Sequence, residues 1–191
     1  KLLDGIDGLT SSIGLIASLV IFAVSLLWDV DGSSTSLLSL AMAGAILGFL
    51  IFNWHPAKIF LGEGGSTLIG FSLGVLSIIS GSKIATALLV MGLPVLDIFW
   101  VIIRRAKQGK AFWSGDQEHL HFRMLRSGFS QKQIVLFLSL VSLSFGVVSI
   151  FFTTKIKITA LIIVLVLMFM LSTWLNYRLS ATGGVNKEND A

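Results

Sequence analysis

Six apolar runs, each separated from the next by a short polar segment, limit what this chain can fold into. They extend from Ser12 to Trp28, Leu37 to Phe52, Ser66 to Ser80, Ile84 to Ile103, Ile134 to Phe152 and Ile156 to Leu175. A helix crosses the hydrocarbon of a bilayer with about 20 mostly apolar residues, within a range of roughly 17 to 25. The runs meet or approach that length, the second and third being short. Of the 191 residues only 13% are charged and 54% are hydrophobic, with a mean hydropathy of +0.90, whereas a soluble domain is about a quarter charged. The expected fold is all-α, a polytopic transmembrane helix bundle of about six spans. Glycine-rich stretches at Ala43–Gly48 and Gly70–Gly74 are expected to let neighbouring helices approach closely.

Residues 1–179 read as one transmembrane domain with a loop at 104–133, and residues 180–191 as a polar tail expected to be disordered. The chain starts at Lys1 without Met and runs straight into Asp4-Gly5-Ile6-Asp7-Gly8, with no basic leader or cleavage pattern, so it reads as the C-terminal part of a longer protein. There is no Cys, which excludes disulfide scaffolds, thiolate metal sites and Cys nucleophiles. The net charge of +4 is small, and its clustering in one loop suits a membrane surface better than a nucleic-acid groove.

That loop carries Arg104, Arg105, Lys107, Lys110, Arg123, Arg126 and Lys132 against Asp116 and Glu118, and the positive-inside rule places it in the cytoplasm. Alternating outward puts Asp4–Gly8, the Asn53–Gly65 loop and the C-terminal tail inside. Eleven of the fourteen Lys and Arg residues then lie inside, leaving Lys83, Lys155 and Lys157 outside.

Three polar motifs, distant in sequence, fall on that one side: the third lies in the basic loop itself, and the first two reach the same side by alternation of the spans. In the first, Asp4 and Asp7 are three apart and share a face if the segment opens the first helix; they suit a hard cation, or a solvated helix start. A calcium loop is excluded, because the twelfth position from Asp4 is Leu15 where a bidentate Glu is needed. The second motif, Phe60-Leu61-Gly62-Glu63-Gly64-Gly65-Ser66, leads into a span. Its glycines let backbone N–H groups turn toward an anion, and Glu63 can hold Mg²⁺ against phosphate oxygens. Phe60 is placed to stack on a base, whereas Trp54 suits the interfacial aromatic belt. The third, Asp116-Gln117-Glu118-His119-Leu120-His121-Phe122-Arg123, puts His119 and Arg123 on one face of a helical turn, suited to phosphoryl oxygens; a transition-metal site at His119 and His121 is the competing reading. Asp97, after Pro94 in the fourth run, is an ionisable residue within a span and so a functional candidate. Pairing with Arg104 or Arg105 is its expected structural role.

Together these residues resemble the polyprenyl-phosphate N-acetylhexosamine-1-phosphate transferase family, which includes the undecaprenyl-phosphate GlcNAc-1-phosphate transferases and the phospho-MurNAc-pentapeptide translocase. Leu3–Leu9 resembles its Asp-Gly-x-Asp-Gly motif, Gly62–Ser66 its Gly-Asp-x-Gly-Ser motif, and His119–Arg123 its His-rich motif. The resemblance implies a bacterial, multi-pass enzyme of the cell membrane, active at the cytoplasmic face. A lipid phosphate attacks the β-phosphorus of a UDP-sugar, giving a lipid-diphospho-sugar and UMP. Mg²⁺ is the implied cofactor, with Mn²⁺ an alternative; the implied partners are a UDP-sugar, a polyprenyl phosphate and the membrane, no nucleic acid, with a homodimer left open. By position, Glu63 is implied as metal ligand with Asp4 in support, and Asp7 holds the nucleotide. Phe60 stacks on uracil, Gly64, Gly65 and Ser66 contact the donor, and His119, His121 and Arg123 bind the diphosphate. Two departures stand out. Glu63 replaces the family's Asp, and the family's paired-aspartate motif is expected upstream of Lys1. Arg123, where the MurNAc-pentapeptide branch is acidic, favours the GlcNAc-type branch. A transporter for an anionic solute and a non-catalytic family member are the rival readings.

Overall fold

The computed structural model describes residues 5–29, 34–79, 84–108, 119–152 and 154–188. Asp4, a proposed ligand, and Asp116, Gln117 and Glu118 of the third motif lie outside the described residues. Among the described residues there are eight helices and no strand: α1 (Leu9–Trp28), α2 (Ser34–Asn53), α3 (Gly62–Ile79), α4 (Ile84–Val90), α5 (Gly92–Gln108), α6 (Leu120–Arg126), α7 (Gln131–Phe151) and α8 (Thr154–Glu188). The all-α, multi-pass bundle read from the apolar runs is the fold.

The central helix is α1. Twelve of its twenty residues are buried, among them Thr10, Ser11, Ser12, Gly14, Ala17, Ser18 and Ser25. Small residues around its circumference let α2, α3, α4 and α7 all pack against it, whereas α2 is as apolar but packs chiefly along one face. Two glycines mark the closest approaches. A Cβ on Gly14 would sit 2.9 Å from Ile69 Cγ2, and one on Gly146 would sit 2.6 Å from Val20 Cγ2. In the stretches expected to serve this purpose it is Ala43, Ile46 and Leu73 that are buried, not the glycines: a methyl group placed on Gly44, Gly48, Gly70 or Gly74 would meet nothing within 4 Å, and all four are exposed. Glycine spacing marks a face that can be approached, but tertiary packing decides which face is used.

The fourth run is not one straight span. It breaks at Met91 into α4 and α5, whose limbs Ile84–Val90 and Val95–Ile102 meet at a 73° bend. Gly92 and Pro94 directly follow the break, and Pro lacks the N–H needed to continue the hydrogen-bond ladder. Four helices, α1, α2, α3 and α7, are long and apolar enough to cross a membrane, and the bent pair makes a fifth if it is one span. The sixth expected run lies within α8, whose apolar part is the shorter stretch Thr159–Trp174. Beyond it, the tail expected to be disordered from Ser180 continues α8 as helical backbone to Glu188.

Side-chain contacts identify the two ends of the bundle. At one end, Trp28 Nε1 of α1 donates to the Ile150 carbonyl of α7 at 3.2 Å, and Lys157 Nζ of α8 donates to Thr86 Oγ1 of α4 at 3.0 Å. The three polar motifs are at the other.

Candidate active site

Backbone placement of the first motif comes from a buried asparagine. Helix α1 begins at Leu9, so Gly5–Gly8 form turns ahead of it and Asp7 does not stand on the helix. Gly8 adopts φ 78°, a left-handed conformation costly for a residue with a side chain. No side chain caps the helix from its own segment; instead Gly8 N donates to Asn53 Oδ1 at 3.2 Å. The same oxygen accepts from Ser11 Oγ at 2.8 Å, and Asn53 Nδ2 donates to the Ile59 carbonyl at 2.9 Å. One amide at the end of α2 thus ties together the start of α1 and the loop leading to α3. That loop is folded back on α2 by Lys58 N donating to the Phe52 carbonyl at 2.8 Å.

Asp7 is held from the same loop. Its Oδ2 lies 2.7 Å from His55 Nδ1 and accepts from Ala57 N at 3.2 Å. Gly5, Ile6, Asp7 and Asn53 then face Phe60, Leu61 and Gly62 across a cleft of ≈ 240 Å³, somewhat below the size of a typical small-molecule pocket. Phe60 stands at its rim with 76% of its surface exposed, free to lie against a planar ring. The glycine-rich motif is already helical: α3 starts at Gly62 (φ 67°), four residues ahead of the apolar run. Glu63 therefore occupies the first helical turn and is exposed, Gly64 has open space around it, and Gly65 packs only against the Leu61 side chain. Ser66 is buried, its Oγ donating to the Glu63 carbonyl at 3.2 Å. The first four N–H groups of such a helix have no intrahelical partner and favour an anion.

The third motif reaches the first through Gly5. A Cβ there would overlap the His121 ring at Nε2 and come within 2.9 Å of Phe122 Cζ, so the absence of a side chain is what admits the imidazole. His121 is buried, and its Nε2 has no hydrogen-bond partner among the described residues. Burial pushes its pKa down to about 4, against a smaller upward pull from Asp97, and His119 adds to the lowering. His121 is a neutral imidazole at pH 7. Its ring is stacked on that of His119, centroids 5.8 Å apart and planes parallel to 1°.

His119 and Arg123 are held by different partners. His119 is the N-cap of α6, and its Nδ1 lies 2.9 Å from Asp97 Oδ2, while Leu120 N donates to Asp97 Oδ1 at 2.9 Å. Asp97 thus pairs with His119, at the start of α6, while the side chains of Arg104 and Arg105, its expected partners, lie outside the described residues. Arg123 is 1% exposed and donates from Nη1 to Ser172 Oγ at 2.7 Å and from Nη2 to the Ser172 carbonyl. It fastens α6 to α8. Asn53 and His55 carried no signal in the sequence, since a lone Asn or His in a loop has no periodicity or motif spacing. Only their partners give them meaning.

The donor set can be tested against a cation. Among the described residues no three His, Asp or Glu side chains converge. Nothing among the described residues supplies the further ligand that the transition-metal reading of His119, His121 and a carboxylate needs. Asp7 in the cleft and Glu63 on the first turn of α3 are a sparse set of hard oxygens. Mg²⁺ is commonly held by one or two carboxylates, with water and substrate phosphates completing its shell, and these residues fit that description.

The class this defines is an all-α, multi-pass membrane protein with an acidic, glycine-rich cleft at one end of its helices. A family model described as "Glycosyl transferase family 4" matches residues 2–81. The chain belongs to that family, as the motifs suggested. Over 160 residues it is 39% identical to decaprenyl-phosphate N-acetylglucosaminephosphotransferase of Mycobacterium tuberculosis, covering 72% of this chain and 40% of the relative. It is 30% identical over 196 residues to a probable undecaprenyl-phosphate N-acetylglucosaminyl 1-phosphate transferase of Bacillus subtilis, covering 98% of this chain and 52% of that relative. Against phospho-N-acetylmuramoyl-pentapeptide-transferase of Shouchella clausii the identity is 34% over 154 residues, covering 79% and 46%. The chain spans about half the length, or less, of these curated relatives.

Proposed function

We propose that this chain supplies the sugar-nucleotide side of a transferase that moves N-acetylhexosamine 1-phosphate from a UDP-sugar to a polyprenyl phosphate and releases UMP. The observation that carries it is the meeting of three motifs: the Asp7 turn and the Phe60–Gly62 loop share one cleft, and His121 packs against Gly5 of that same turn. The substrates follow from the relatives' names, which specify polyprenyl phosphates and N-acetylglucosamine phosphate. In the reaction an oxygen of the lipid phosphate forms a bond to the β-phosphorus, the bond to the bridging oxygen breaks, and its electron pair leaves with UMP. No group on the chain needs to become covalently modified.

What the chain contributes is charge neutralisation and alignment. Phe60 lies against the uracil, and Asp7, fixed by His55 and Ala57, orients the nucleotide. The first turn of α3, Gly62–Gly65, faces the diphosphate with the positive end of its helix. Glu63, with Asp4, would hold Mg²⁺ or Mn²⁺, which supplies the positive charge that offsets the phosphoryl oxygens. His119 and His121 approach as neighbours of the cleft; the buried Arg123 acts by holding α6 against α8. The clustered basic residues support a position for this end of the bundle at the cytoplasmic face of a bacterial membrane.

The test is UMP release by the full-length protein from UDP-N-acetylglucosamine, with undecaprenyl phosphate and Mg²⁺, alongside its Glu63→Ala variant. A loss on the order of 10³-fold is expected for removal of a charge-neutralising carboxylate. Equal rates would remove Glu63 from the metal site. Silence from both, with other UDP-sugars also unreactive, would leave the non-catalytic reading standing.

A further inference from the structure

Asp97 is buried, 6% exposed, on the limb of the fourth run beyond the bend. Neither of its oxygens is spent on the helix that carries it. Oδ2 meets His119 Nδ1 at 2.9 Å and Oδ1 accepts from Leu120 N at 2.9 Å. This is a two-point grip on the start of α6, one point on a side chain and one on the backbone. A buried carboxylate facing one ring nitrogen fixes which tautomer the imidazole adopts and how the ring is turned. With Nδ1 engaged, Nε2 is the His119 nitrogen left to meet a ligand. The parallel stack on His121, whose ring lies against Gly5, sets the second imidazole by reference to the first.

The geometry points to Asp97 as a positioning residue that acts through His119: it holds the imidazole with Nδ1 inward and Nε2 presented toward the phosphate-handling end of the site. The assignment rests on the transferase reading above. It goes further in making the bend in the fourth span part of the site, because residue 97 reaches residue 119 from the limb that the bend redirects. A purely structural cap would need only Oδ1 on Leu120 N. The second oxygen on His119 is the feature that a cap alone does not explain.

Asp97→Asn separates the two jobs, since its amide oxygen can still accept from Leu120 N while its NH₂ can no longer accept from His119 Nδ1. In the full-length protein, kcat for UMP release is expected to fall on the order of 10- to 100-fold, as for other groups that orient a functional imidazole. KM for the UDP-sugar should move less than about threefold. The decisive measurement is the double-mutant cycle. In a His119→Ala background, Asp97→Asn should cause no further loss, because the residue it acts through is gone. Asp97→Thr, which keeps a capping oxygen on a shorter side chain, gives the same cycle if the Asn variant does not fold. Wild-type kcat in Asp97→Asn, or losses that multiply in the double variant, would overturn the assignment while leaving the transferase reading intact. If the unmodified protein releases no UMP, the transferase reading fails and the assignment fails with it.

Discussion

Any side chain at residue 5 runs into the His121 imidazole and lies 2.9 Å from Phe122 Cζ. Overpacking of this kind costs about 1–3 kcal/mol when the neighbours cannot move aside. Gly5→Ala should therefore lower the melting temperature of the detergent-solubilised protein and abolish most UMP release. Gly5→Ala with His121→Ala should recover the melting temperature but not the activity, because the space returns and the imidazole does not. A second prediction follows from the same ring. In the unfolded chain His121 takes a proton near pH 6.5, whereas in the folded protein burial delays protonation until about pH 4. The unfolded state binds more protons between those values, so this contribution to stability is complete above about pH 6.5 and is lost as pH falls toward 4. The loss amounts to up to ~3 kcal/mol. His121→Gln, which cannot titrate, should show a flatter melting temperature across that window than the unmodified protein. Of these contacts the sequence displayed the motif residues but not their partners. Asp97 was legible as an expensive charge, and its pairing with His119 was not, because that pairing depends on where a broken helix points.

Helices were the most legible elements, since a run of apolar residues long enough to cross a bilayer leaves few alternatives. Their ends and their packing were less so. The start of α3 at Gly62 was hidden because glycine and glutamate carry no apolar signal, although they form its first turn. The break at Met91 left only Gly92 and Pro94 as a trace in an otherwise continuous run. Packing gives a direct contrast between glycines that look alike in sequence. Gly146→Ala puts a methyl 2.6 Å from Val20 Cγ2 between α7 and α1, and is expected to destabilise this chain by about 1–3 kcal/mol. Val20→Ala should restore part of the loss by opening the same space. Gly48→Ala, with nothing within 4 Å, should leave stability unchanged or raise it by roughly 0.5–1 kcal/mol, the helix-interior advantage of Ala over Gly. Thermal unfolding of the three variants in one detergent measures all of this. Equal destabilisation by Gly146→Ala and Gly48→Ala would contradict this packing of α7 on α1.

At the scale of the whole molecule, the distribution of charge between the two ends bears on which way the bundle faces. The hydrogen bonds at Asn53, the cleft beside Phe60 and the His121 contact put the loop ends of α1, α2, α3 and α6 together, while Trp28 and Ile150 meet at the opposite end. By alternation of the spans in sequence, eleven of the fourteen Lys and Arg residues fall on the side of the first end, and Lys83, Lys155 and Lys157 on the side of the second. Lys157 carries less weight as a loop charge than its sequence position suggests. It is 9% exposed and donates to Thr86 Oγ1, joining α8 to α4, whereas the positive-inside rule counts charges in loops and at span ends. Arg123, 1% exposed and bonded to Ser172, is discounted on the same ground, so two far-end charges are set against ten, which favours a cytoplasmic placement of the cleft. Because the chain contains no Cys, single cysteines give a direct reading. Ile59→Cys lies beside the cleft, and Ser34→Cys and Phe152→Cys lie at the far ends of α2 and α7; all three positions are exposed. A membrane-impermeant maleimide added to intact cells should label residues 34 and 152 and spare residue 59 until the membrane is opened. Labelling of residue 59 alone in intact cells would reverse the bundle, putting the cleft on the side where a cytoplasmic sugar nucleotide cannot reach it.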